Sequence, residues 1–183
     1  MKLTRRDVLV ALAAGAIAPA AQAHTMFNQW VVYRQKHLLI GSHRKDSATY
    51  DLSQELVLTL EHLLPEASAR SARAPRPERL ASLLATRQLE LAILSVDNAE
   101  QMQSGTGDFA PYGAIPLTLV TDLKSHLLVA HEDFTRHHAW LVAAALDEVG
   151  FGVGALDGRT NITPHSGVSA FRQGVPMSDL IEE

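Results

Sequence analysis

Apolar residues recur along the chain in two rhythms. Residues 30–40 read Trp-Val-Val-Tyr-Arg-Gln-Lys-His-Leu-Leu-Ile. This stretch is rich in β-branched and aromatic residues, which predicts a strand, and residues 37–40 form the short apolar run of a buried one. Gly41 is expected to end it, and the polar residues 41–47 to form a turn. From residue 49 to 64 the spacing becomes three and four, through Leu52, Leu56, Leu60, Leu63 and Leu64. That predicts an amphipathic helix stopped by Pro65.

The alternation continues. A second, weaker strand is expected over 67–74. A helix is expected from Pro77 to about residue 88, with Leu80, Leu83 and Leu84 on one face. Residues 89–95, Leu-Glu-Leu-Ala-Ile-Leu-Ser, predict a buried strand, and a helix follows from Asp97 to Gln103. The Gly- and Pro-containing residues 104–116 form the main loop. Residues 117–120 and 126–130 are strand-like, and 134–149 carry the last strong helical pattern. From Gly150 five glycines fall by Gly167, which predicts a loose C-terminal tail. The order β-α-β-α-β implies one α/β domain with a mostly parallel sheet and flanking helices. In such sheets ligands gather at the carboxyl ends of the strands.

The first 23 residues read as an address. Lys2, Arg5 and Arg6 precede an alanine-rich apolar run over 8–18, and Pro19 and the triplet Ala21-Gln22-Ala23 follow. These are the basic region, apolar region and cleavage signature of an export signal. The run is about half the length that spans a bilayer. The adjacent Arg5 and Arg6 mark the twin-arginine type, so the twin-arginine translocase is the expected export partner and the periplasm the expected location. Cleavage after Ala23 leaves 24–183 as the mature domain. Loss of Lys2, Arg5, Arg6 and Asp7 takes 16 basic residues to 13 and 20 acidic ones to 19, a net charge of −6.

Composition narrows the functions. The 183-residue chain is 46% hydrophobic and 20% charged, as befits a globular domain. Its acidic balance gives it no electrostatic reason to seek nucleic acid. It has no cysteine, which excludes disulfides, thiolate metal sites and a cysteine nucleophile. No nucleophile elbow, phosphate loop or dinucleotide fingerprint is present, so no enzyme is expected.

Several segments resemble a family. Ile40-Gly41-Ser42 followed by Ala48-Thr49-Tyr50-Asp51-Leu52 is similar to the first ligand loop of periplasmic solute-binding proteins of the TAXI class, which serve TRAP transporters. Residues 79–84 and 88–94 resemble that family's second helix and third strand, residues 127–134 the return to its first lobe, and residues 162–168 a Pro-His-x-Gly-Ala piece near its carboxyl end. The likeness spans most of 37–172. It implies transport-type binding without a cofactor, with Tyr50 opening the first helix toward the cleft and Ser95, Val96 and Asp97 facing the ligand. Family members have two lobes and close to twice this length. Here the second lobe is missing, which makes a periplasmic or membrane protein partner attractive as the missing wall.

On this reading the ligand-binding candidates are Ser42, Arg44, Thr49, Tyr50, Arg73, Ser95 and Asp97, and the expected ligand is a small anionic solute or a protein partner. Backbone N–H groups at the helix start, with Arg44 beside them, suit a carboxylate or phosphate. The alternative is copper. Cleavage would leave His24 at the amino terminus, where amine and imidazole chelate Cu(II), with His37 or His43 as a third ligand. The neighbours His137 and His138 point about 100° apart on a helix and are not expected to share an ion.

Overall fold

The computed structural model describes residues 37–153 and 158–180. The signal residues Arg5, Arg6, Ala21 and Ala23, His24 and strand positions 30–36 lie outside the described residues. The elements run β1 (Leu39–His43), α1 (Ser47–Leu63), β2 (Arg70–Ala74), α2 (Pro77–Ala85), β3 (Leu91–Leu94), α3 (Val96–Ser104), β4 (Leu117–Asp122), β5 (Leu127–His131), α4 (Arg136–Glu148) and α5 (Ser166–Arg172). Short 3-10 turns occupy Pro65–Ala67, Gly107–Tyr112 and Met177–Leu180.

The five strands form one sheet in the order β2-β1-β3-β5-β4. β1 is parallel to both β2 and β3, whereas β5 is antiparallel to both β3 and β4. The domain is α/β, but the sheet is mixed rather than mostly parallel. The reason is connection length. Only residues 123–126 separate β4 from β5, and a parallel return needs a crossover of a dozen residues or more. A hairpin is the one pairing that such a link allows, and these four residues hold no second lobe.

β1 also departs from expectation. Gly41 does not end it; the strand continues through Ser42 and His43. A Cβ at Gly41 would lie 2.4 Å from a Leu89 methyl and 3.2 Å from the Leu91 carbonyl oxygen. The glycine therefore marks close packing of β1 against its neighbours, not a turn.

Side chains alternate across the sheet and build two apolar layers. Ile40, Leu91, Ile93, Leu128 and Ala130 face α1 and α4, whose Leu56, Leu60, Val142 and Leu146 cover them. Ala92, Leu94, Leu127 and Val129 face the other way, against Leu80 and Leu84 of α2, Met102 of α3 and Phe109 of the 3-10 turn. Burying a side chain of this size stabilises by about 1.5–3 kcal/mol, so the two layers fix the sheet firmly.

The tail after residue 150 is not uniformly loose. Leu119 bonds to Thr163 and His165 through its backbone, making a parallel bridge to Pro164 on the outer edge of β4. α5 then packs beside α4. A Cβ at Gly167 would come within 2.0 Å of the Arg136 carbonyl oxygen, so only glycine lets the two helices approach this closely.

Candidate functional site

The connection from β1 leads outward to β2, and the next crosses back over β1 to β3. The strand order thus reverses between β1 and β3, and the crevice outside their carboxyl ends is where open α/β sheets bind ligands. Ser42 and His43 end β1 there and Arg44 follows them, Ser95 and Asp97 follow β3, and residues 123–126 complete the edge because β5 starts beside Leu94.

The loop leaving β1 is tightly held. Thr49 Oγ1 accepts from the His43 N–H at 3.1 Å and donates to the Asp46 carbonyl at 2.7 Å. Asp46 caps α1, its Oδ1 accepting from the Ala48 N–H at 3.1 Å. Its Oδ2 accepts from His126 Nε2 at 2.6 Å, and His126 Nδ1 meets Ser125 Oγ at 2.9 Å. Burial opposes ionisation of Asp46, but the His126 hydrogen bond and charge outweigh it and hold the carboxyl below its ordinary range. This Ser-His-Asp chain has serine on Nδ1 and aspartate on Nε2, the reverse of an acyl-transfer triad. It reads as a latch joining the α1 cap to the β4–β5 turn.

All seven ligand candidates lie at or near this edge, but they differ in what they have left to offer. Thr49 is committed to the turn. Ser95 Oγ caps α3, accepting from the Asn98 N–H at 3.3 Å. Arg73 stacks its guanidinium on the Tyr50 ring, 4.2 Å from the centroid, a cation–π contact that occupies one face of each. Asp97 is exposed in the first turn of α3. Arg44 is also exposed, with only its backbone N–H tied, to the Ala74 carbonyl at 3.0 Å. Ser42 sits opposite Arg73 in the β1–β2 register. It is fully buried, and its Oγ has no hydrogen-bond partner.

The group with the most unused hydrogen-bonding capacity is His43, which the sequence offers only as a candidate third copper ligand. His43 is 2% exposed, and neither ring nitrogen has a hydrogen-bond partner. Glu78, in the first turn of α2, likewise carries an Oε2 that is buried and unpartnered. Burial depresses the His43 pKa; Asp46 and Glu78 pull it up, and His126 pushes it down. The net effect lowers it and favours the neutral ring. The expectation of a turn over 41–47 places His43 in solvent, whereas it is the buried last residue of β1. Read as the last residue of a buried strand, a histidine would have stood out as a polar group needing a partner.

Among the described residues, no group of three or more His, Asp or Glu side chains is arranged to hold a metal ion. His37 and His43 begin and end the β1 stretch, six residues and about 20 Å apart at strand rise, so one ion cannot take both. The His137 and His138 rings, expected to diverge, meet edge-on with centroids 4.2 Å apart. Rotation about the side-chain bonds closes the gap that the helix opens between their backbone directions.

No protein-family model matches the chain, and no curated protein matches its sequence.

Proposed function

We propose that the protein is an exported, single-domain binding module that takes a small anionic solute at the carboxyl edge of β1 and β3. The observation that carries this reading is the reversal of strand order with unspent polar capacity beside it: the free guanidinium of Arg44 and the buried, unpartnered hydroxyl of Ser42. Buried polar atoms without partners are rare in folded proteins and call for an explanation, and a bound ligand supplies one. A protein partner or a second copy of the chain would supply the facing wall that a second lobe gives the family the sequence resembles.

The test is calorimetric titration of the purified protein with small mono- and dicarboxylates, beside the Arg44→Ala variant. A charge-assisted arginine contact contributes roughly 1.5–3 kcal/mol, so the variant should bind about tenfold to a hundredfold more weakly with unchanged thermal stability. Unchanged affinity would overturn the reading. Export is checked separately, by mass spectrometry of the protein recovered from the periplasm, with His24 as the expected first residue.

A further inference from the structure

We infer that His137 and His138 form a two-histidine chelate, at the start of α4, for a divalent transition-metal ion that favours right-angled coordination, Cu(II) or Ni(II). The site goes beyond the anion-binding reading and lies apart from it. β5 runs antiparallel to β3, so that Leu127 pairs with Leu94 and Ala130 with Leu91. α4 therefore begins past the amino end of β3, at the edge of the sheet opposite Ser42 and Ser95.

The spacing of the two rings selects the geometry. An imidazole nitrogen bonds such an ion at about 2 Å, which sets the ring centroid about 3.2 Å from the metal. Two rings bound at right angles then lie about 4.5 Å apart, a tetrahedral pair about 5.2 Å and an opposed pair about 6.4 Å. The observed 4.2 Å matches the right-angled pair, the arrangement of square-planar and tetragonal sites. A half turn about the Cβ–Cγ bond exchanges the carbon and nitrogen edges of an imidazole, so each ring can present a nitrogen. Neither residue is buried, and among the described residues no hydrogen bond occupies either ring. Phe134, one turn ahead and 3% exposed, packs against His138 with centroids 6.1 Å apart and backs its ring. Burial and the neighbouring His137 hold the His138 pKa below its ordinary value, which favours the unprotonated form that ligates. The remaining in-plane positions of the ion fall to water.

Tryptophan fluorescence tests this, because Cu(II) quenches an indole close to it and Trp140 lies three residues from His137 on the same helix. Trp30→Phe removes the indole nearest in sequence to His24 and leaves Trp140 the only tryptophan. In that parent, added Cu(II) should quench Trp140 saturably. His137→Gln and His138→Gln should each raise the midpoint concentration at least about tenfold, and the double variant should do no worse than either, because a chelate is lost with its first ligand. Both positions lie outside the core, and unchanged far-ultraviolet circular dichroism shows that the variants are folded. Absence of quenching in the parent, an unchanged midpoint in either single variant, or small losses that add in the double variant would each overturn the chelate. None of these outcomes touches the anion reading, which Arg44→Ala tests at the other edge.

Discussion

His43 and His165 are equally buried, each 2% exposed, and they are opposites in hydrogen bonding. His165 uses its whole ring. Nδ1 accepts from the Gly167 N–H at 3.1 Å, which leaves the proton on Nε2, and Nε2 donates to the Phe134 carbonyl at 2.8 Å. The ring also lies edge-on to Phe134. It thereby caps α5 and ties the tail to the segment ahead of α4. His43 uses nothing beyond its backbone. Burial alone does not separate a structural histidine from a functional one; the accounting of its two nitrogens does.

The strongest way to break the comparison is to remove the pin. His165→Ala deletes two buried hydrogen bonds, strands the Phe134 carbonyl and leaves a space among packed side chains. Together these should cost about 3 kcal/mol. Urea unfolding followed by circular dichroism measures it, and a loss under about 1 kcal/mol would show that α5 and the tail are held by other contacts.

The two histidines also mark what a sequence can disclose. The helix spanning α1 was legible because its leucines repeat at helical spacing and Leu56 and Leu60 are fully buried. The alternation of strands and helices was legible for the same reason. The mixed sheet was legible in principle from the four residues between β4 and β5, but it needed loop length weighed against connection type. The place of Gly41 was not legible. A glycine before Ser-His-Arg-Lys carries the local signature of a turn, and only the packing of Leu80 and Leu89 against β1 reverses it. That one residue displaced the end of β1, and with it the recognition of His43 as a buried strand residue. Asp46 and His126, eighty residues apart, meet only through the β1–β3–β5 neighbourhood that folding creates.

A sharper test uses His43→Leu in the absence of ligand. Replacing a buried ring that has two unpartnered nitrogens by an apolar side chain of similar size should raise stability by roughly 1 kcal/mol at pH 7, the inverse of what His165→Ala does. The pH dependence follows. Burial holds the pKa values of His43, His138 and His165 below the ordinary 6.5. Between 6.5 and the lower folded values the unfolded chain binds more protons, so stability rises with pH there. It should be full above pH 6.5 and decline as the protein is acidified through the folded pKa values. His43→Leu should flatten part of that decline and leave the share carried by His165. Thermal unfolding from pH 7.5 to 5 reads both slopes, and an unchanged profile in His43→Leu would mean that the ring titrates as it does in water.

The smallest expected effect lies on the surface, where partner accounting loses its force. Arg87 pairs with Asp133 at 2.5 Å, but its side chain is 70% exposed and that of Asp133 is 47% exposed. Water and salt screen such a pair, and Arg87→Ala should change stability by less than about 0.5 kcal/mol. The backbone matters more than the charge. Arg87 adopts φ +54° in the turn between α2 and β3, a left-handed conformation that costs a side-chain-bearing residue about 1–2 kcal/mol. Glycine relieves that strain and gives back part of the gain, roughly 0.4–1 kcal/mol, through the greater freedom of the unfolded chain. Arg87→Gly should therefore be more stable than Arg87→Ala by about 0.5–1 kcal/mol, although both lose the same ion pair. Equal stability of the two variants, or a loss in Arg87→Ala comparable to that in His165→Ala, would show that the exposed pair carries weight after all and that the distinction drawn between wet and dry partners is misplaced.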